Sequence, residues 1–250
     1  MSRGGALIRL SLLAFLLALL AAPERFGWLF NWLTKNGQPA IYTQTPLWQL
    51  TLNHLGLVLI AVTCAGIAGV GFAILTTRPS GREFLPLSRS IANLGQTFPP
   101  VAVLALAVPI FGFGSKPTLI ALFLYALLPV FETALTGLST LPAQVLDAGR
   151  GTGMTRGQRL WQIELPLSLP AILSGLRLAT IISLATATIG STVAAQTLGE
   201  VIMAGLMANN TAFVLQGGLI VGLLAILIND AFRIAERRAA RKAGWRGAEL

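Results

Sequence analysis

The chain has 250 residues, 54% of them hydrophobic and 11% charged, with a mean hydropathy of +0.74, which excludes a water-soluble globular domain and fits a single membrane-embedded domain over residues 1–250. The formal net charge of +9 does not mark a nucleic-acid binder, because the basic residues gather at the ends of apolar runs and form no patch with interleaved aromatics. A single cysteine, Cys64, and a single histidine, His54, exclude an intrachain disulfide and leave little for a metal centre or nucleophilic catalysis.

Arg3 and Arg9 precede a first apolar run over residues 10–22. Its Ala-Ala end resembles a signal-peptide site, so cleavage is the rival to a retained first span; retention keeps an even number of spans. Residues 23–51 carry Trp28, Trp32, Tyr42 and Trp48 among polar residues, the pattern of an external segment resting at headgroup level. Residues 52–76 form the second span, with Gly56, Gly66, Gly69 and Gly71 permitting close helix approach. His54, at its start, reads as a helix-end histidine near the interface. Arg78, Pro79, Gly81, Arg82 and Glu83 then make a basic cytoplasmic turn, and Arg89 stands at the edge of the third span.

That third span, residues 90–111, holds Asn93, Gln96 and Thr97 ahead of Pro99 and Pro100. Two adjacent prolines remove two amide donors, which a bilayer tolerates only where protein or a water-lined cavity satisfies the freed carbonyls. A kink lining a pathway and a kink packed against a neighbour are both open. Residues 118–138 form the fourth span, where Glu132 reads as an interfacial carboxylate paired with a basic neighbour. The fifth span, residues 169–194, contains Arg177, placed to snorkel toward the cytoplasm, and a run of Ser and Thr suited to helix packing. Residues 195–210, with Gln196 and Glu200, read as an outer re-entrant or amphipathic segment. The sixth span, residues 213–232, ends in a basic tail of Arg233, Arg237, Arg238, Arg241, Lys242 and Arg246.

Between the fourth and fifth spans lies DAGRGTGMTRGQRLWQIELP, residues 147–166. Asp147, Arg150, Arg156, Arg159 and Glu164 would each cost about 2.5 to 3.5 kcal/mol at the centre of an inserted helix, so the stretch belongs in water. Thr155 and Gln158 have the spacing of a capping box. Leu165-Pro166 is expected to close the helix that this box opens. Two short helices joined at Gly151 to Gly153 result, able to lie on a membrane surface and dock with a partner. Only Arg25, Lys35 and Lys116 of the eighteen Lys and Arg fall on the opposite side of a six-span arrangement, so positive-inside topology places both termini and residues 147–166 in the cytoplasm.

Asp147-Ala148-Gly149, then Gly153, then nine residues to Ile163-x-Leu165-Pro166 resembles the EAA loop of ABC importer permeases. Asp147 and Gly149 depart from the usual Glu and Ala, and Gly149 is expected to loosen the first short helix by up to about 1 kcal/mol. Residues 95–100 (GQTFPP), 111–114 (FGFG), 124–129 (LYALLP) and 197–200 (TLGE) are similar to the permeases that import glycine betaine, choline, carnitine and related osmoprotectants, in particular the YehW type. Residues 192–196, TVAAQ, depart from the IGAGG-like run common there.

The resemblance implies an all-α polytopic bundle of about six spans, the type I ABC importer permease fold. It also implies a cytoplasmic coupling loop over residues 141–168 in which Asp147, Ala148, Gly149, Arg150, Gly153, Ile163, Leu165 and Pro166 engage a cytoplasmic ABC ATPase dimer. ATP and magnesium would be bound by that ATPase, with no cofactor in this chain, which has no GxxxxGK[ST] phosphate loop. A second permease subunit, a periplasmic substrate-binding protein, the lipid of a bacterial inner membrane and ATP-driven alternating access complete the expectation. Asn93, Gln96, Thr97, Pro99, Pro100 and Gln196 are the candidate pathway residues. A permease for another small solute and an ATP-independent secondary transporter are the alternatives.

Overall fold

The computed structural model describes residues 3–35 and 37–244, without the side chain of Arg3; Arg246 of the basic tail lies outside them. Among these residues there are helices and no strands. The α-helices in chain order are α1 (Arg3–Ala21), α2 (Gly27–Phe30), α3 (Leu47–Thr77), α4 (Leu85–Thr97), α5 (Pro100–Phe111), α6 (Ser115–Ser139), α7 (Ala143–Gly151), α8 (Arg156–Arg159), α9 (Leu165–Ala187), α10 (Gly199–Met207) and α11 (Thr211–Lys242). Five stretches are long and apolar enough to cross a membrane, and a sixth is present if one bent pair counts as a span. At 31 residues α3 is roughly 46 Å long, more than the hydrocarbon core requires.

Several boundaries move from their expected places, each for a local reason. The third span carries the expected break at its prolines but starts earlier than residue 90: the chain bends by 97° between Arg82–Thr97 and Pro100–Phe111, because Pro99 and Pro100 supply no amide to continue the ladder. Leu165-Pro166 does not close a helix. A π-turn at Leu160–Glu164, in which the Leu165 amide donates to the Leu160 carbonyl, runs straight into α9, and this local departure from α-helical spacing accommodates Pro166, which has no amide to donate. The α-helix of the fifth span stops at Ala187 and gives way to a 3-10 turn, Ile189–Val193. That turn ends on Ala194 at φ 62°, inside the TVAAQ run. The basic tail is helical as far as Lys242.

Three side chains also sit elsewhere than expected. His54 is two turns inside α3 and fully buried, its Nε2 donating to the Leu184 carbonyl at 3.1 Å. Tyr42 is buried, while Trp28, Trp32 and Trp48 are exposed as an interface would have them. Arg177 does not reach for water: its Nε donates to Glu236 at 2.6 Å, with further bonds to Asn229 and Ser174.

The chain divides into two compact units. The first comprises the described residues of Met1–Ala61, Pro99–Leu122 and Ile181–Ile228. Its apolar core joins Leu16 and Leu19 to Phe30, Tyr42, Leu50, Val201, Phe213 and Ile220, with the Tyr42 and Phe213 rings edge to face at 5.4 Å. Polar bonds tie residues 38–45 to this core. The Tyr42 hydroxyl donates to Glu200 at 2.6 Å, Thr45 to the same oxygen at 2.7 Å, and the Tyr42 amide to Gln216 at 3.0 Å.

The second unit comprises the described residues of Val62–Phe98, Phe123–Thr180 and Asn229–Leu250. Ala73, Ala92, Leu127, Phe131, Ala134, Leu138 and Ile172 form its core. Small residues let its helices approach closely. A Cβ at Gly69 would lie 3.0 Å from the Phe131 amide nitrogen, and one at Gly175 would overlap Thr133 and come within 2.9 Å of the Pro129 carbonyl.

Candidate functional site

In the second unit, α7 opens after Pro142 without a side-chain cap and closes on Gly153, whose φ is +78°. The Gly153 amide donates to Arg150 and the Met154 amide reaches back to Gly149, the paired bonds of a Schellman end. Space around Gly153 is open, so the left-handed backbone alone calls for glycine there. Thr155 then starts α8 with the expected reciprocal capping box: its hydroxyl accepts from the Gln158 amide, and the Gln158 side chain accepts from the Thr155 amide.

Gly149 does more than loosen α7. It is buried, and a Cβ there would sit 2.8 Å from Ile163 Cδ1 and 3.4 Å from the Arg159 stem. One turn apart, Arg159 and Ile163 share a helix face, and α7 rests on it through the glycine. Asp147, Ala148 and Arg150 are exposed on α7, with Asp147 and Arg150 paired at 2.8 Å. Trp161 is 72% exposed. Leu165 is half-buried and Pro166 exposed where α9 begins.

Glu164 was not among the sequence candidates, yet its carboxylate is buried and forms a bidentate pair with Arg78 at the end of α3. Arg78 also donates to the Ile74 carbonyl. A charge standing just before a long apolar run was the available signal. Beside this pair lies a cleft of about 540 Å³ whose lining includes Thr77, Leu146, Arg150, Met154, Thr155, Arg156 and Arg159. A second cavity of about 670 Å³ lies among α6, α9 and α11, with Glu132, Thr136, Ser174, Arg177, Asn229, Arg233 and Glu236 in its wall. Glu132 has the basic neighbour expected of it, Arg89 at 3.0 Å.

Of the candidate pathway residues, Asn93, Gln96 and Thr97 lie exposed on the last turns of α4. The Thr97 hydroxyl donates to the Asn93 carbonyl, Gln96 Nε2 donates to the Tyr125 carbonyl at 3.1 Å, and the Tyr125 hydroxyl donates to the Phe98 carbonyl. The bend is therefore partly stitched to α6. Pro99 is exposed, Pro100 half-buried and Gln196 exposed; Gln196 accepts from Asn53 at 3.3 Å.

Residues 65–241 match the family model described as binding-protein-dependent transport system inner membrane component. The osmoprotectant import permease protein OsmY of Salmonella typhimurium is 38% identical over 195 residues, 78% of this chain and 83% of the relative. The choline transport system permease protein OpuBB of Bacillus subtilis is 32% identical over 208 residues, 83% and 92% respectively. A chain of the inward-facing MetNI methionine ABC transporter superposes with a TM-score of 0.65 over 81% of this chain and 99% of its own, at 19% identity, a likeness of fold. The chain therefore belongs to the binding-protein-dependent inner membrane components, the permease subunits of ABC importers.

Proposed function

We propose that this permease carries glycine betaine or a related quaternary ammonium osmoprotectant across the bacterial inner membrane by ATP-driven alternating access. The observation that carries the reading is residues 147–166 folded as a rigid, glycine-closed helix pair, α7 seated on the start of α9, in a chain whose relatives include osmoprotectant and choline permeases. Asp147, Ala148, Gly149, Arg150, Gly153, Ile163, Leu165 and Pro166 form the element that engages a cytoplasmic ABC ATPase dimer. That dimer holds ATP and magnesium; this chain holds no cofactor. ATP-driven closure of the dimer moves α7 as a lever, and because α9 continues from the same segment the motion enters a membrane span directly.

A second permease subunit and a periplasmic binding protein complete the importer. Both termini and α7 lie in the cytoplasm, in keeping with the distribution of Lys and Arg. Asn93, Gln96, Thr97, Pro99, Pro100 and Gln196 contribute to the pathway. A quaternary ammonium is held by aromatic faces and carbonyl oxygens, so much of the selectivity is carried by the binding protein.

Proteoliposomes holding the complete importer test this. Labelled glycine betaine or choline accumulates in an ATP-dependent manner, and Gly153→Arg abolishes both uptake and coupled ATP hydrolysis while the chain still inserts. Normal uptake by that variant would sink the coupling assignment, and accumulation of amino acids alone would sink the substrate.

A further inference from the structure

The cleft beside α7 has a charge imbalance that its own residues do not resolve. Arg78, Arg150, Arg156 and Arg159 contribute to its wall against a single carboxylate, Glu164. Arg78 is held by Glu164 and Arg150 by Asp147. Arg156 and Arg159 have no ion-pair partner among the described residues. Arg156 is exposed, and the half-buried Arg159 stem runs beside Gly149, where a Cβ would come within 3.4 Å of it. Their guanidinium groups offer planar forks that match carboxylates in two-bond geometry.

We infer that this cleft seats acidic side chains of the ATPase subunit, which approach Arg156 and Arg159 as the ATPase takes up α7. This rests on the reading of residues 147–166 given above and names the chemistry of the partner's contact. Position supports it, since the cleft shares Leu146, Arg150 and Met154 with the α7 segment, so a surface that grips α7 also covers the cleft. Docking is then electrostatically steered and weakens with salt.

The test uses the full-length permease in nanodiscs and the ATPase that copurifies with it. Affinity is measured from about 50 to 500 mM salt, across which the Debye length falls severalfold. Wild-type affinity is expected to fall steadily with salt. The double variant Arg156→Glu, Arg159→Glu is expected to bind at least tenfold more weakly at low salt and to lose that dependence, with Arg156→Gln, Arg159→Gln intermediate. Monodisperse elution and an unchanged melting temperature establish that the variants are folded. Should the charge-reversed chain bind the ATPase as wild type does, or wild-type affinity ignore salt, the inference fails while the coupling assignment stands. Unchanged ATPase affinity with lost retention of phosphatidylglycerol overturns it in favour of a lipid site. If the wild-type chain binds no ATPase at any salt, the coupling assignment itself fails.

Discussion

Glu164 fills the variable position of Ile163-x-Leu165-Pro166, and its pairing with Arg78 explains why a buried charge there is tolerated. Glu164 ends the π-turn, and its side chain, paired bidentately with Arg78, is only 9% exposed. Removing one member of such a pair leaves the other buried and unmatched, at a cost of about 3 kcal/mol or more. Glu164→Gln is therefore expected to lower the melting temperature of the purified permease, and Arg78→Gln added to it to cost less than the two single changes summed. Full additivity in that double-mutant cycle would mean the two residues do not act as a pair.

Tyr42 makes a different residue-scale claim. Burial, reinforced by its hydrogen bond to the Glu200 carboxylate, pushes the phenol from 10.0 up to about 12. Because the folded state favours the neutral phenol, its stabilisation is fully present below pH 10 and lost as pH rises through about 12. The two tyrosines of the chain are Tyr42 and Tyr125, so a Tyr125→Phe variant leaves one phenol to follow by its ultraviolet absorbance. A midpoint near 12 is expected; one near 10 would show that the hydroxyl is neither buried nor held by Glu200.

At the scale of elements, two devices shape the second unit. The π-turn merges α8 and α9 into one continuous stretch, Arg156–Ala187, so the coupling proposed above needs no hinge at Pro166. Glycines then set the distance at which helices meet. Gly175 lies so close to Thr133 and the Pro129 carbonyl of α6 that any side chain collides with backbone as well as with Thr133. Gly175→Val should destabilise the folded permease by about 1 to 3 kcal/mol through overpacking, read as a lowered melting temperature in detergent. Gly71→Val, where nothing stands within 4 Å, should change it little.

For the whole molecule, orientation is the open physical prediction. Most of the basic residues cluster in the turn after α3, in residues 147–166 and along the end of α11, and each arginine driven to the outer face would oppose the membrane potential and the insertion bias. With Cys64 replaced by Ser, single cysteines placed at residues 36 and 154 report the side of the membrane. Residue 36 should label from outside with an impermeant maleimide, and residue 154 only after permeabilisation; the reverse pattern would invert the topology and with it the coupling assignment.

The sequence by itself determined the solvent, the class and the local form of residues 147–166: apolar runs of bilayer length, basic ends, and a polar glycine-bearing segment with fixed spacings are one-dimensional patterns set by local physics. The capping box, the join between short helices at Gly151 to Gly153 and the bend at Pro99-Pro100 were legible for the same reason, since each depends on a few neighbouring residues. Tertiary structure decided what depends on distant partners. His54 was legible as polar but not as buried against Leu184, Arg177 as charged but not as matched by Glu236, and Gly149 as flexible but not as a contact for Ile163. Pro166 looked like a stop because proline reads that way locally, whereas Glu164, buried with Arg78 from 86 positions away, sits in a π-turn that carries the helix on into the membrane.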